Sequence, residues 1–202
     1  MKIGPKYKIA RRLGAPVFEK TQTPKYALSL ARKERRDSRD RGKPKSEFGR
    51  ELIEKQKVRF SYGVSEKQFR NYVNKALRSL DPVQTLFVNL ESRLDNVLFR
   101  AGLARTRSQA RQAASHGHVL INSSRVTIPS ILLREGDTVS LSPSSSENHL
   151  FKEVAEMMKA IAAPVWLKID STSKQVTIKG QPVYIPQEQL FDLGMVIEFY
   201  NR

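Results

Sequence analysis

The chain has 202 residues and a formal net charge of +16, because it holds 36 Lys and Arg against 20 Asp and Glu. It contains no cysteine, which excludes disulfides, thiolate metal sites, iron–sulfur clusters and a cysteine nucleophile. No apolar run approaches the roughly 18 residues of a membrane span, and the charged N-terminus is unlike a secretory signal. With a hydrophobic content of 39%, the composition predicts a basic, non-secreted protein of one large or two small domains.

The positive charge is concentrated in the first half of the chain. Residues 1–90 hold 23 Lys or Arg and 9 Asp or Glu, a net charge of +14. Residues 91–142 hold 7 and 4, a net charge of +3, and residues 143–202 hold 6 and 7, a net charge of −1. Such an excess favours a polyanionic partner. Residues 33–45 lack the apolar face of a membrane-surface helix, so the predicted partner is nucleic acid and not a membrane.

Residues 1–45 are predicted to be a basic extension, poorly ordered on its own, because prolines interrupt it and its apolar residues follow no period. A helical domain is predicted for residues 46–91. Ser46 caps its first helix, which runs to about Phe60 and stops near Gly63, and Pro82 opens the third. A capping box at residues 65–68 begins the second helix. That helix is expected to bury a stripe of apolar residues: Phe69, Tyr72, Val73, Ala76, Leu77 and Leu80.

Residues 92–183 are predicted to form a compact αβ module. One helix has apolar positions 94, 97, 98 and 101 and ends at Gly102, and Thr106 begins a second helix that stops at Gly117. Strands are predicted at 118–121, 125–128 and 138–141, followed by a polar hinge at 142–146 and a helix over about 147–162. Two further strands follow at 166–169 and 175–178. Residues 184–202 are expected to complete the helical domain and to contain an apolar strand at 195–200.

Five arginines surround the predicted helix–turn–helix: Arg93, Arg100, Arg105, Arg107 and Arg111. Two of them lie four residues apart on the second helix and share a face. The N-terminus of that helix, at Thr106, offers backbone N–H groups and the positive end of a helix dipole to a phosphate. Guanidinium groups also pair with phosphates and stack on unpaired bases. The alternative is a merely solvated helix face, but five arginines around one turn favour RNA or DNA.

Three stretches of this module resemble the RNA-binding module named after small-subunit ribosomal protein four. They are residues 92–97 (SRLDNV), 102–112 (GLARTRSQARQ) and 115–122 (SHGHVLIN). Segments outside the module resemble the same ribosomal family: residues 4–6 with 11–12, residues 54–59, 62–70, 164–167 and 196–200. The likeness covers almost the whole chain in order, so the chain is identified as a member of that family.

The resemblance implies an α+β fold. A helical domain would carry an inserted αβ module, in which a helix–turn–helix packs on a small antiparallel sheet, and a basic N-terminal extension. It also implies a cytoplasmic, non-enzymatic protein of the small ribosomal subunit. Such a protein binds ribosomal RNA early, nucleates assembly of the subunit body and contributes to decoding accuracy. Two further partners are implied, ribosomal protein five at the C-terminus and messenger RNA near residues 41–45.

The predicted RNA-binding residues combine cations with a few polar and aromatic side chains: Lys6, Lys8, Arg11, Arg12, Arg35, Arg36, Arg39, Arg41, Lys43, Lys45, Arg50, Lys55, Lys57, Arg59, Tyr62, Arg70, Arg93, Arg105, Thr106, Arg107, Ser108, Arg111 and His116. The predicted protein-partner residues are Ile197, Glu198, Phe199 and Tyr200. Many family members carry a cysteine cluster or a Gly-Gln-His-Gly segment where this chain has residues 26–43. With no thiolate and no nearby histidine, zinc is rejected there, and neither a metal nor a cofactor is predicted.

Two other classes of protein remain as alternatives. Pseudouridine synthases can carry the same module, and their catalytic loop contains an Arg-Leu-Asp like that at residues 93–95. In those enzymes Thr and Gly follow, whereas Asn96 and Val97 follow here, and no large catalytic domain remains. Asp95 is then more simply an acid in the first turn of a helix, paired with an arginine. A stand-alone RNA-binding factor with this module would be shorter and would lack the helical domain.

Overall fold

A computed structural model describes residues 3–36, 46–146, 148 and 151–201, without the side chains of residues 33–36 and 146. The chain divides into two compact units, Met1–Leu86 with Ile185–Arg202, and Phe87–Tyr184. Across the described ranges, every helix is too short or too polar to cross a bilayer.

Helices make up most of the described residues of the first unit, and the second unit contains both helices and strands. Their bounds are α1 Lys6–Leu13, α2 Pro24–Arg36, α3 Glu47–Tyr62, α4 Glu66–Ala76, α5 Pro82–Glu91, α6 Leu94–Arg100, α7 Arg107–Ser115, α8 Pro143–Ser146, α9 Val154–Ala160 and α10 Leu193–Asn201. Short 3-10 helices lie at Glu19–Thr21 and Pro186–Glu188.

The predicted helix starts in the first unit are confirmed by their caps. The Ser46 hydroxyl accepts the N–H of Gly49 at 3.2 Å, and the Ser65 hydroxyl accepts that of Gln68 at 3.3 Å. The predicted apolar stripe on α4 holds for Phe69, Val73 and Ala76 but is wrong for Leu80, which is fully exposed. The helix ends at Ala76, so Leu80 no longer shares its face.

In the folded chain, the described part of the N-terminal segment packs on α3. Its apolar side chains form a buried cluster that packs against Ile53 and Phe60 of α3. The members are Ala10, Leu13, Ala15, Val17, Phe18 and Tyr26. Poor order of the isolated segment stays a prediction, since here the segment is stabilised by its packing on α3. Apolar residues without a common period converge on a neighbouring helix, a contact that no local pattern displays.

The predicted C-terminal strand is wrong, because residues 193–201 form α10. The Asp192 carboxylate accepts the N–H of Gly194 at 2.7 Å and stabilises the first turn. Leu193, Val196 and Ile197 are buried, the i, i+3, i+4 spacing of a helix face, and α10 packs on α3.

The second unit contains a five-stranded antiparallel sheet in the order β2-β1-β3-β5-β4. The strands are β1 Val119–Ile121, β2 Ser124–Val126, β3 Thr138–Leu141, β4 Leu167–Asp170 and β5 Gln175–Ile178. Asn122 and Ser123 connect β1 to β2 with φ of 48° and 68°, as a tight two-residue hairpin requires. One buried cluster joins α6, α7 and α9 to one face of the sheet. The predicted α+β class, with helices packed on an antiparallel sheet, is confirmed.

Two connecting segments of this unit differ from the prediction. The expected hinge at residues 142–146 contains α8, where Ser142 and Ser145 share a hydrogen bond of 2.6 Å. The helix expected over about 147–162 is described as α9, Val154–Ala160, and residues 147, 149 and 150 lie outside the described residues.

Candidate nucleic-acid interface

Helix α1 presents a cationic face to solvent. Its buried side carries Ala10 and Leu13, and Gly14 ends the helix in the left-handed conformation at φ 68°. The remaining side carries Lys8 and Arg12, both exposed. These cations lie on a rigid helix that is fixed by its apolar side, which suits them to meet a phosphate backbone.

Two further α1 cations are partly engaged with the protein itself. Arg11 is exposed, and its Nε donates to the Tyr7 carbonyl at 3.2 Å. The Lys6 ammonium lies 5.7 Å from the centroid of the Phe18 ring, a cation–π distance. Lys6 is half-buried, so its stem packs against the cluster while Arg11 stays accessible.

The predicted cations of α3 and α4 fall into exposed and paired classes. Arg50 and Arg70 are exposed. Lys57 is half-buried and pairs with Glu54 at 2.7 Å.

Lys55 and Arg59 form part of an intramolecular charge cluster. Lys55 is 7% exposed, and its ammonium lies 2.9 Å from Oε1 of Glu66. Arg59 donates to the other oxygen of Glu66 at 2.6 Å, and the Tyr200 hydroxyl donates to Oε1 at 3.0 Å. The Lys55 ammonium also lies 4.7 Å from the ring centroid of Phe199. These groups link α3 and α4 to α10.

The charge cluster shifts two pKa values. Burial acts to raise the pKa of Glu66, but hydrogen bonds from Lys55, Arg59 and Tyr200 outweigh it and lower the pKa to about 2. Burial and the bond to Glu66 raise the pKa of the Tyr200 hydroxyl well above its ordinary value. Glu66 is therefore ionised and Tyr200 neutral at neutral pH, and the Glu66 carboxylate is shared by Lys55 and Arg59.

Tyr62 is placed inside the protein, although it was predicted to bind RNA. It is 2% exposed, and its ring centroid lies 6.0 Å from that of Phe191. A ring in this position has no accessible face on which a base could stack, so we exclude Tyr62 from the interface.

Arg93 is also buried, because it neutralises Asp95. Both side chains are 2% exposed, and the guanidinium donates to both carboxylate oxygens at 3.0 and 2.8 Å. Arg111 of α7 donates to Oδ2 of the same carboxylate at 2.9 and 2.6 Å. The predicted pairing of Asp95 with a nearby arginine is confirmed. Arg93 has no access to RNA, and Arg111, 29% exposed, ties α7 to α6.

A second buried carboxylate, Glu91, organises the other side of the turn. It is 1% exposed and accepts from Arg100 at 3.0 and 2.8 Å and from the Asn96 amide at 2.9 Å. The Asn96 carbonyl oxygen accepts from Arg107 at 2.8 Å, and the Arg107 guanidinium lies 4.3 Å from the ring centroid of Phe99. Much of the arginine excess at this turn is therefore engaged within the module.

Exposed side chains remain at the start of α7, where the cap and the residue before it lie. Thr106 caps it as predicted, since its hydroxyl accepts the N–H of Gln109 at 3.1 Å. The Gln109 side chain accepts from the N–H of Arg105, at 2.9 Å. Arg105 is 62% exposed and pairs with Glu153, which is 64% exposed. Arg105 and the exposed Ser108 are thus the predicted residues most available to a ligand here.

The far end of α7 carries His116, which is exposed. Gly117 follows in the predicted left-handed conformation at φ 71°. The Arg125 guanidinium donates to the carbonyls of Gly117 at 3.0 Å and His116 at 3.2 Å, and so caps the helix.

Several predicted RNA-binding residues cannot be placed. Arg39, Arg41, Lys43 and Lys45 lie outside the described residues, and Arg35 and Arg36 end α2 without described side chains.

The predicted protein-partner residues do not share one environment. Ile197 is 8% exposed and belongs to the buried side of α10, so it is not available to a partner. Glu198 is exposed. Phe199 is half-buried, with its ring 5.4 Å from that of Phe48, which is 52% exposed. The hydroxyl of Tyr200 is engaged by Glu66.

Glu91 and Asn96 were not among the predicted site residues, yet together they position two arginines at the turn, Arg100 and Arg107. Nothing in the sequence around Glu91 distinguishes it from an exposed helix acid, since its partners lie five and nine residues away.

Among the described residues, no group of three or more His, Cys, Asp or Glu could hold a metal ion.

Two family profiles match this chain. The Ribosomal protein S4/S9 N-terminal domain matches residues 1–95, and the S4 domain matches residues 92–139. The second match contains the helix–turn–helix and the β1–β2 hairpin.

Curated relatives extend the likeness to nearly the full length. The small ribosomal subunit protein uS4 of Halothermothrix orenii is 37% identical over 209 residues, covering 98% of each chain. That of Aquifex aeolicus is 38% identical and covers 99% of this chain and 98% of its own. That of Lachnospira eligens is 40% identical over 87% of this chain and 89% of its own. With such identity maintained through both structural units, this chain belongs to the small ribosomal subunit protein uS4 family.

Proposed function

We propose that this protein is a structural component of the small ribosomal subunit in the cytoplasm and binds its ribosomal RNA. Membership of the uS4 family over nearly the whole chain carries the proposal. The net charge of +16 and the exposed cationic face of α1 supply the electrostatic means. Exposed cations on α3 and α4, Arg50 and Arg70, extend that means within the first unit.

In the second unit, we assign RNA contact to the exposed residues of α7 and its approach. Arg105 supplies a guanidinium, Ser108 stands in the first helical turn, and His116 stands at the opposite end of the helix. Arg93 is excluded by burial, and Arg107 and Arg111 position α7 through Asn96 and Asp95. The module would therefore present a preformed shape with few free charges.

Binding and early assembly are tested on RNA without other proteins. We expect the purified chain to bind isolated small-subunit ribosomal RNA at least tenfold more tightly than large-subunit ribosomal RNA at the same salt concentration. Omitting the chain from a reconstitution should leave the subunit body incomplete. Equal affinity for both RNAs would contradict specific recognition, and a complete body without the chain would contradict a nucleating role.

We propose that the protein has no catalytic activity. The carboxylate of Asp95, the nucleophile in the enzyme alternative, is 2% exposed and accepts from two guanidinium groups. A group enclosed in this way is unavailable to a uridine. Incubation with RNA carrying tritium at uridine C5 should release no tritium above background, and release at a catalytic rate would restore the enzyme alternative.

The exposed edge of the α3–α10 pair supports a protein neighbour, which by family resemblance is ribosomal protein five. Phe48 is 52% exposed, and its ring contacts Phe199 beside the exposed Glu198. Aromatic side chains are enriched at the centre of protein interfaces.

Messenger RNA is a further proposed partner, on the basis of family resemblance alone. Its predicted contacts, Arg41, Lys43 and Lys45, lie outside the described residues. Replacing all three with Gln should reduce crosslinking of messenger RNA to this chain in reconstituted subunits, with subunit assembly as the control.

A further inference from the structure

An apolar groove of about 640 Å³ lies beside the turn between α6 and α7. Phe99, Arg100 and Arg105 line it from the α6–α7 side, and Met157, Ile161 and Pro164 line it from α9 and the segment after it. Its volume falls within the roughly 300–1,000 Å³ typical of ligand sites. Of the residues that line this groove, the interactions proposed above use only Arg105.

A close packing contact at Gly102 brings the two walls of the groove together. Gly102 adopts φ +77°, and a Cβ atom there would lie 3.0 Å from the Ile161 side chain and 3.1 Å from the Met157 carbonyl oxygen. The absent side chain therefore lets α9 approach the turn. This approach places Met157 and Ile161 opposite Phe99.

One wall of the groove consists of flat, fixed groups. Glu91 holds the Arg100 guanidinium by two hydrogen bonds of 3.0 and 2.8 Å, yet this side chain remains 33% exposed. Beside it, the Phe99 ring is held by the Arg107 guanidinium, 4.3 Å from its centroid. Guanidinium planes and aromatic rings are the surfaces on which proteins stack unpaired RNA bases.

The rim of the groove carries an arginine whose partner in the protein can be replaced by a phosphate. Arg105 and Glu153 pair there, but both are more than 60% exposed, at 62% and 64%. An exposed pair of this kind contributes little to stability, so the Arg105 guanidinium can transfer to a phosphate at small cost.

We propose that this groove takes one unpaired base of the ribosomal RNA. The base stacks against the exposed Arg100 guanidinium and contacts Phe99 and the apolar wall of Met157 and Ile161. Its phosphate pairs with Arg105. A base is favoured over a protein side chain because the exposed Arg105 guanidinium lies at the rim, next to the exposed residues that begin α7. This inference rests on the proposed function, since it specifies a contact within the same RNA-binding activity.

Filling the groove tests the proposal. Ala160 lines the groove and is exposed, so Ala160→Phe should fold normally while occupying the space of the base. Ala163→Phe is the matched control, because Ala163 is exposed nearby and does not line the groove. We expect Ala160→Phe to weaken binding to isolated small-subunit ribosomal RNA about tenfold, within the range of one lost stack. The salt dependence should change little, because Arg105 remains.

Two further measurements separate the outcomes. Glu153→Gln removes the acidic competitor for Arg105 and should strengthen RNA binding severalfold. Ultraviolet crosslinking of the unmodified chain to isolated RNA should yield a nucleotide adduct on Phe99 or Met157. Unchanged RNA affinity in Ala160→Phe, or nucleotide adducts that fall only on residues outside the groove, would overturn the groove proposal. Failure of the unmodified chain to prefer small-subunit RNA would instead overturn the proposed function.

Discussion

Helix α1 and the α6–α7 pair are both rich in cations, but they use them differently. On α1, Lys8 and Arg12 point to solvent from a helix that is fixed by its apolar side. At the α6–α7 turn, Arg93 is 2% exposed, and the partners of the other arginines include the buried carboxylates Asp95 and Glu91. The first region offers charge to a ligand, and the second uses charge to fix its own shape.

This difference shows that a count of arginines does not measure the charge available for binding. A buried carboxylate must be paired, because an isolated charge in the protein interior is strongly unfavourable. Each such carboxylate therefore withdraws arginines from the surface. Variants in the two regions should therefore separate effects on stability from effects on RNA affinity.

The largest effect is expected for Asp95→Asn. The substitution keeps the size of the side chain but leaves the guanidinium of Arg93 buried without a carboxylate. Breaking a buried pair in this way costs about 3–5 kcal/mol, so the urea midpoint should fall and Tm should drop by about 10 °C.

Glu135→Gln is the control for this variant, since Glu135 is exposed in a turn of the same unit. It should leave the free energy of unfolding within about 0.5 kcal/mol of the original value. A stable Asp95→Asn variant would contradict the structural role of the Arg93 and Arg111 pairs.

A smaller effect is expected when Arg111→Gln and Arg12→Gln are compared. Arg111→Gln should destabilise the protein by about 1–3 kcal/mol, because Asp95 loses one of its two partners. Arg12→Gln should leave stability unchanged. On ribosomal RNA it should make the negative slope of log K against log salt less steep by about 0.7–0.9. Urea unfolding and filter binding measure the two quantities. A reversed outcome would exchange the roles of the two regions.

Within the first unit, the pH dependence of stability should distinguish an acid that is paired inside the protein, Glu66, from an exposed one. The folded pKa of Glu66, about 2, lies below its ordinary value of 4.5. Its contribution is therefore fully present above pH 4.5 and is lost as the pH falls toward 2. Because Glu66 is 37% exposed, solvent limits the effect to about 1 kcal/mol or less. Glu66→Gln should flatten the unfolding free energy measured between pH 4.5 and 2.5, whereas Glu47→Gln, an exposed acid on α3, should not.

The smallest effect on RNA binding is expected for Glu198→Lys. Glu198 is exposed on α10, in a part of the chain whose net charge is near neutral. Affinity for isolated ribosomal RNA should change less than twofold, while association with ribosomal protein five weakens and misreading increases in a translation assay. Loss of RNA binding by a folded variant would place α10 in the RNA interface instead.

The features that the sequence predicted well depend on local interactions. The caps at Ser46, Ser65 and Thr106 join a side chain to an N–H three residues away, so the chain pattern contains the whole interaction. The stop at Gly117 is equally local. The fold class and the αβ module followed from such signals and from the family resemblance.

The features that were missed depend on distant partners. Lys55 lies in a basic stretch typical of RNA binding, but its partner Glu66 comes eleven residues later, on the next helix. Tyr62 is enclosed with Phe191, more than a hundred residues away. In α10, Met195, Ile197 and Phe199 alternate like a strand. The packing on α3 decides for the helix, because it buries positions with helical spacing instead.

The central claim, that α1 offers charge while the α6–α7 arginines fix shape, is tested most directly by one salt titration. The original chain is compared with a variant in which Lys8, Arg11 and Arg12 are all Gln and with one in which Arg107 and Arg111 are both Gln. On isolated small-subunit ribosomal RNA, the negative slope of log K against log salt should be less steep by about 2–3 in the α1 variant. In the α7 variant it should be less steep by under about 0.5. The result that would contradict this claim is an unchanged slope in the α1 variant, together with a slope less steep by about 2 in a folded α7 variant.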